Sequence, residues 1–146
     1  EALLAVKRHP YDTSLPATRR MVERVAGEFG LAERIVFIEG GDIEPLVAAS
    51  AGVVLVNSTT ALQALRHAKP LKVLGHATYD MPGLAHQGPL DGFWHEPPVP
   101  DPDLVDAYRR AVVGKTQIAG GFFAPAAIDR AVAGLVARMA KEARPA

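Results

Sequence analysis

Cysteine is absent from this chain. Disulfide frameworks, thiolate nucleophiles and cysteine-based zinc sites are excluded with it, and the absence fits a reducing compartment. An excess of either charge is missing too, because 16 basic residues balance 16 acidic ones. Nucleic acid and anionic membrane are therefore not expected as main partners. No apolar run approaches the roughly 18–20 residues that cross a bilayer, and the opening residues do not read as a signal peptide. Neither a G-x-G-x-x-G fingerprint nor a Walker lysine motif occurs, so a dinucleotide oxidoreductase is a poor reading. The five histidines, His9, His67, His76, His86 and His95, form no H-x-x-x-H pair, and no metal site is expected.

What is present is a chain of 146 residues, 49% hydrophobic, which suits one globular domain. Apolar runs Ala2 to Val6, Arg34 to Ile38, Gly52 to Val56 and Leu71 to Gly75 read as strands. The near-continuous apolar character of the third predicts burial on both faces. Between them, Met21, Val22, Val25, Ala26 and Phe29 recur at helical spacing, with Pro16 suited to a first turn and Gly30 to a C-cap. Asp42 is a good N-cap for a helix over Ile43–Ala49. A further helix runs from Ala61 to near His67 and Ala68.

This alternation predicts an α/β fold, with a Rossmann-like parallel sheet flanked by helices. From His76 to Pro102, proline and glycine punctuate a long irregular stretch, and a loop of that length is more often functional than idle. Helices follow from Asp103 to about Val113 and from Ala126 to Ala140, and residues 144–146 read as a frayed tail. The chain opens on Glu1 inside an apolar run. It therefore reads as one domain, 1–146, of a longer protein whose N-terminal domain is missing.

Ligands of doubly wound sheets sit beyond the carboxyl ends of the strands. The polar residues there are His9, Gly40-Gly41-Asp42, Asn57-Ser58-Thr59-Thr60 and Gly75-His76. Asn57 to Thr60 carries hydroxyls at a helix start, where they either cap the helix or hold a phosphate. His9-Pro10 either is a surface turn or places an imidazole to donate to a phosphate or base carbonyl. Gly40 and Gly41 either make a turn or admit close backbone approach. Asp80 and Asp91 suit sugar hydroxyls or a general base, or else simple turn chemistry.

Taken together, these segments resemble a known family. Lys7-Arg8-His9-Pro10, Val56 to Leu65, Lys69 to Gly75, Ala77 to Leu84, Leu90 to Trp94 and Thr116 to Phe123 resemble the capsule polysaccharide biosynthesis and export family of the KpsC/KpsS type. The likeness covers roughly residues 4 to 123. It implies a β-Kdo transferase using CMP-Kdo to build the lipid-linked Kdo linker, with a GT-B fold of which this chain is the donor half. Similarity to GT-B sialyltransferases implies that His9 and Pro10 meet the CMP and that His9 stabilises the leaving phosphate. On the same likeness Ser58 and Thr59 hold the phosphate, and Gly40, Asn57 and Thr60, read from the pattern as lying on the same rim, complete the expected donor-nucleotide site. Tyr79 and Asp80 are candidate sugar or acceptor contacts. No cofactor and no metal is implied.

The general base belongs to the other domain, so this chain alone is expected to be inactive. The implied partners are a nucleotide sugar, a lipid-linked acceptor and the capsule export machinery, at the cytoplasmic face of the inner membrane. A different class remains: a non-catalytic assembly or export factor of the same fold, using the Phe93-Trp94 loop as a protein interface. A large exposed apolar patch there favours that reading, and a recessed polar cleft at the strand ends favours the enzyme.

Overall fold

A computed structural model describes residues 2–9, 11 and 15–142. It is α/β, with two small parallel sheets flanked by helices. The chain divides into two compact units, Glu1–Leu46 and Val47–Ala146.

In the first unit, strand β1 (Leu4–Lys7) pairs in parallel with β2 (Ile35–Ile38), with Leu4 opposite Ile35 and Lys7 opposite Ile38. Helix α1 (Leu15–Glu28) connects them and packs against β2. The first strand begins two residues later than its apolar run suggests. The reason lies at Ala2, whose carbonyl accepts from the Arg34 guanidinium at 3.0 and 3.2 Å instead of from a strand neighbour. Arg34 itself belongs to a 3-10 turn, Ala32–Arg34, ahead of β2.

Helix α1 stops as its sequence dictates. Gly30 takes φ +66°, its N–H donates to the Gly27 carbonyl, and the Leu31 N–H reaches back to Ala26 at 2.7 Å. This double closure satisfies carbonyls that the helix end leaves free, and it needs a residue at ease with positive φ. Helix α2 (Ile43–Ala49) starts on the Asp42 carboxylate, which accepts from the Glu44 N–H at 3.0 Å.

In the second unit, β3 (Val53–Leu55) pairs in parallel with β4 (Leu71–Val73) around helix α3 (Thr60–Arg66). Val47, Ala61, Ala64, Leu65, Leu71, Val73, Tyr79, Leu84, Ala85 and Phe93 form its core. The run Gly52 to Val56 is not buried on both faces as its composition suggests. Its strand residues are half-buried and Val56 is exposed, because β3 pairs with β4 alone among the described residues.

The end of α3 repeats the closure of α1 with a less suitable residue. Ala68 sits at φ 50°, its N–H donates to Leu65, and the Lys69 N–H donates to the Ala64 carbonyl at 2.8 Å.

The stretch from His76 to Pro102 departs from the expected irregular loop by holding a short helix, α4 (Leu90–His95). Its Phe93 fills the core at 2% exposure, which anchors a segment too short and too rich in glycine and proline to show helical periodicity. Helix α5 (Pro102–Thr116) is capped by Asp101, whose carboxylate accepts from Asp103 and Leu104 N–H groups, and it runs past the expected Val113. Helix α6 (Pro125–Glu142) approaches the segment before it through small residues. A side-chain carbon on Gly134 would lie 2.7 Å from Ile118. Its apolar residues Ile128, Val132, Leu135, Val136 and Met139 remain exposed.

Two substitutions test this packing by urea denaturation. Phe93→Ala is expected to cost about 3–5 kcal/mol, the usual loss for a buried aromatic. Ala68→Gly is expected to stabilise by up to about 1 kcal/mol, because it relieves the left-handed backbone of an L side chain.

Candidate functional site

The candidate residues fall in both units. His9 and Gly40 each follow a strand of the first sheet by two residues. They stand at the same carboxyl end, because β1 and β2 run parallel in register and the Arg8 N–H continues the pairing to the Ile38 carbonyl at 3.0 Å. Pro10 lies outside the described residues.

The His9 ring is exposed, and its Nδ1 accepts from the Tyr11 N–H at 3.2 Å. With Nδ1 as the acceptor, the neutral tautomer compatible with this bond carries its hydrogen on Nε2. The Tyr11 ring lies 5.7 Å from that of His9, tilted by 49°. Gly40 is exposed, with open space where a side chain would point.

The other candidates belong to the second unit. Its strand ends are held unusually close. The Gly75 N–H donates to the Val56 carbonyl at 3.0 Å, and a side-chain carbon on Gly75 would meet that same oxygen at 3.0 Å and Val56 Cγ1 at 2.9 Å. Just beyond Val56, the chain turns at Asn57 and Ser58 into α3. The Ser58 Oγ accepts from the Thr60 N–H at 3.2 Å and lies 2.9 Å from Thr60 Oγ1. Asn57 and Thr59 are exposed, while Ser58 and Thr60 are half-buried. The turn therefore presents two linked hydroxyls on a backbone fixed from below.

Tyr79 does that fixing. Its ring is buried at 6% exposure, and its hydroxyl donates to the Ser58 carbonyl at 2.7 Å. Burial, then the nearby Tyr108 phenol and the Asp80 carboxylate, raise the Tyr79 pKa above its ordinary value of 10.0. Tyr108, on α5, shares a 2.7 Å hydrogen bond with Thr78 and so ties that helix to the residue just before Tyr79.

Asp80 is exposed, and its carboxylate accepts from the Gln87 side chain at 3.2 Å. The structure thus brings Ser58, Thr60 and Tyr79 together and leaves Asp80 facing solvent beside them. Sequence reading missed the Tyr79–Ser58 contact because its partners lie 21 residues apart and no local pattern signals it.

A recess of about 280 Å³ lies elsewhere, between α1 and β2, lined by Arg19, Val22, Ala26, Ile35 and Phe37 among others. None of the candidate residues lines it. Arg19 is fixed there by an ion pair with Glu39 and by its position over the Phe37 ring, 5.3 Å from the centroid. Phe93 is in the core, and Trp94 alone of that pair is exposed, at 54%, so the pair does not form the exposed apolar patch that the assembly-factor reading calls for. Among the described residues no group of three acidic, histidine or cysteine side chains is arranged to hold a metal. No helix there is long and apolar enough to cross a membrane.

Replacing Tyr79 by Phe is expected to cost about 1 kcal/mol, the net worth of an ordinary hydrogen bond. Its pH signature has a definite sign. The folded state keeps Tyr79 protonated to higher pH than the unfolded state does. Stability is therefore full below pH 10.0 and declines as pH rises toward the folded pKa. Tyr79→Phe is expected to remove this contribution to the alkaline decline, measured by urea melts between neutral pH and pH 11.

Comparison with known proteins bears on the same residues. A family model described as "Capsule polysaccharide biosynthesis protein" matches residues 1–123. The chain is 39% identical over 118 residues to the capsule polysaccharide export protein KpsS of Escherichia coli, covering 81% of this chain and 30% of that protein. It is 36% identical over 121 residues to the capsule polysaccharide modification protein LipB of Neisseria meningitidis serogroup A, covering 82% and 29% respectively. The serogroup B LipB matches equally. The chain thus spans about 30% of the length of these curated relatives. No solved structure matches.

Proposed function

This chain belongs to the capsule polysaccharide biosynthesis protein family, and from that membership we propose that it is the donor-nucleotide-binding part of a β-Kdo transferase that uses CMP-Kdo. The observation that carries the reading is the family match over residues 1–123, which includes both the His9-Pro10 and the Ser58-Thr59 motifs. On this reading the chain is the donor half of a GT-B enzyme, and the acceptor half supplies the general base.

The chemistry asked of these residues is limited. An acceptor hydroxyl attacks the anomeric carbon, the bond to phosphate breaks, and CMP departs with the electron pair. His9 offers an Nε2–H toward the departing nucleotide, and Ser58, Thr59 and Thr60 offer hydroxyls to its phosphate. Fixed donors aimed where charge develops lower the barrier without reorganising during the reaction. No divalent metal takes part in this scheme. On this reading Asn57 and Gly40 shape the nucleotide site, and Asp80 takes a sugar hydroxyl. The acceptor is lipid-linked, the export machinery receives the product, and the enzyme works at the cytoplasmic face of the inner membrane.

The test is an NMR titration of the labelled chain with CMP, with UDP and AMP as controls. Selective shifts at His9, Ser58 and Thr59 are the expected result. A response no different from that of the controls sinks the reading and favours a non-catalytic assembly factor. In the enzyme carrying both halves, His9→Ala is expected to cut transfer from CMP-Kdo by ~100-fold or more, as loss of a transition-state donor does.

A further inference from the structure

Trp94 is the chain's single tryptophan, and the donor scheme gives it no task. It lies on α4 within the second unit, between described residues on both sides. Its backbone is held firmly, because Phe93 beside it is buried and the His86 and Trp94 rings both meet the Phe93 ring edge-on, at 5.8 and 5.5 Å. The half-exposed indole is therefore a positioned surface. Exposed polar side chains surround it, Asp91, His95 and Glu96. Asp91 precedes Trp94 by three residues and His95 by four, spacings that place all three on one side of a helix. Among the described residues, the side chains of Asp91, Trp94 and His95 have no hydrogen-bond or ion-pair partner. A protein partner calls for a contiguous apolar patch, and this surface is one aromatic face set among polar groups. It suits a ligand that is apolar on one face and rimmed by hydroxyls. A pyranose ring has that form. Its axial C–H bonds make an electropositive apolar face, complementary to the negative π-face of an indole, and its hydroxyls reach side chains at the rim. The Asp91 and Glu96 carboxylates disfavour another negative charge, so an uncharged ring fits better than an acidic sugar.

We propose that Trp94, Asp91 and His95 form a binding site for a neutral pyranose glycan, with the ring stacked on the indole and its hydroxyls bonded to Asp91 and His95. A saccharide chain is the material that a polysaccharide biosynthesis family handles. The site is separate from the Ser58 turn. Phe93 packs where β3 begins, since a side-chain carbon on Gly52 would lie 3.0 Å from Phe93 Cζ, and the Ser58 turn follows the other end of that strand. A glycan held there touches no reacting atom and stays near the protein between encounters, as linked binding sites ensure. The proposal stands without the donor reading.

The experiment is a titration of the whole chain with maltohexaose, with sorbitol at equal hydroxyl concentration as the open-chain control. Emission reports on Trp94 directly, because no other tryptophan contributes. Wild type is expected to show a saturable blue shift, and the ring protons of bound maltohexaose to move upfield, the ring-current signature of stacking. Trp94→Ala is expected to lose the upfield movement and to weaken binding by about tenfold or more, read from the sugar resonances. Trp94→Phe is expected to keep the movement with weaker binding, and Asp91→Ala to weaken binding several-fold with the movement retained. An unchanged urea midpoint in each variant shows that the fold is intact. A wild-type response to maltohexaose no greater than that to sorbitol overturns the proposal. So does an upfield movement that survives in Trp94→Ala. Neither result bears on CMP, so the donor reading stands or falls by its own titration.

Discussion

Lys72 carries a charge in the middle of a strand whose neighbours on either side, Leu71 and Val73, are buried. Strand geometry makes this workable, because successive side chains leave on opposite faces. Leu71 and Val73 enter the core, and Lys72 leaves the other way to donate to the carbonyls of His86 and Gly88 at 3.2 and 2.7 Å. The His86 N–H returns to the Leu71 carbonyl at 2.8 Å, and its ring meets the edge of Phe93 at 5.8 Å. A strand of three residues thus builds the core below and fastens the proline-rich segment above it. Without that fastening, backbone carbonyls of a loop would need water in place of a protein partner. Tyr79, which belongs to the same fastened segment, could then not hold the Ser58 turn.

The two units carry the candidate residues on different terms. In the second, a buried phenol, a close approach of strand ends and a capped helix α5 hold the Ser58 turn from several directions. In the first, Ala26 is the sole buried apolar side chain among the described residues up to Leu46. There the His9 ring accepts, among the described residues, a local hydrogen bond from the backbone N–H two residues on. The first unit's contribution depends on local geometry, and the second's on packing. Substitutions in the second core, such as at Phe93, are therefore expected to affect the Ser58 turn before they affect His9.

Much of this was legible in the sequence where a local rule decides the outcome. Asp42 caps α2, Gly30 closes α1, and the hydroxyl run at Ser58 to Thr60 opens α3, each because the residue type suits a backbone position whatever lies far away. Legibility failed where distant partners decide. The start of β1 depends on Arg34, helix α4 exists because Phe93 has a core to enter, and Tyr79 matters because of Ser58. Helix α6 shows the converse. Its apolar periodicity at Ile128, Val132, Leu135 and Met139 was plain, yet the small residues Ala127, Ala131 and Gly134 face the neighbouring segment. Periodicity announces a helix and its stripes, and it does not say which stripe finds a partner.

The contact between Gly75 and Val56 has a further consequence for how this chain can change over time. The two strand ends are joined there by main-chain atoms, with no room for a side chain between them. The spacing of the Ser58 turn from His76 is therefore set by peptide geometry, which is the same whatever residues fill the core. Core substitutions can accumulate and shift stability while that spacing stays constant. Gly75 itself is the exception, because a side chain there would press on Val56 Cγ1 at 2.9 Å and on the Val56 carbonyl oxygen at 3.0 Å.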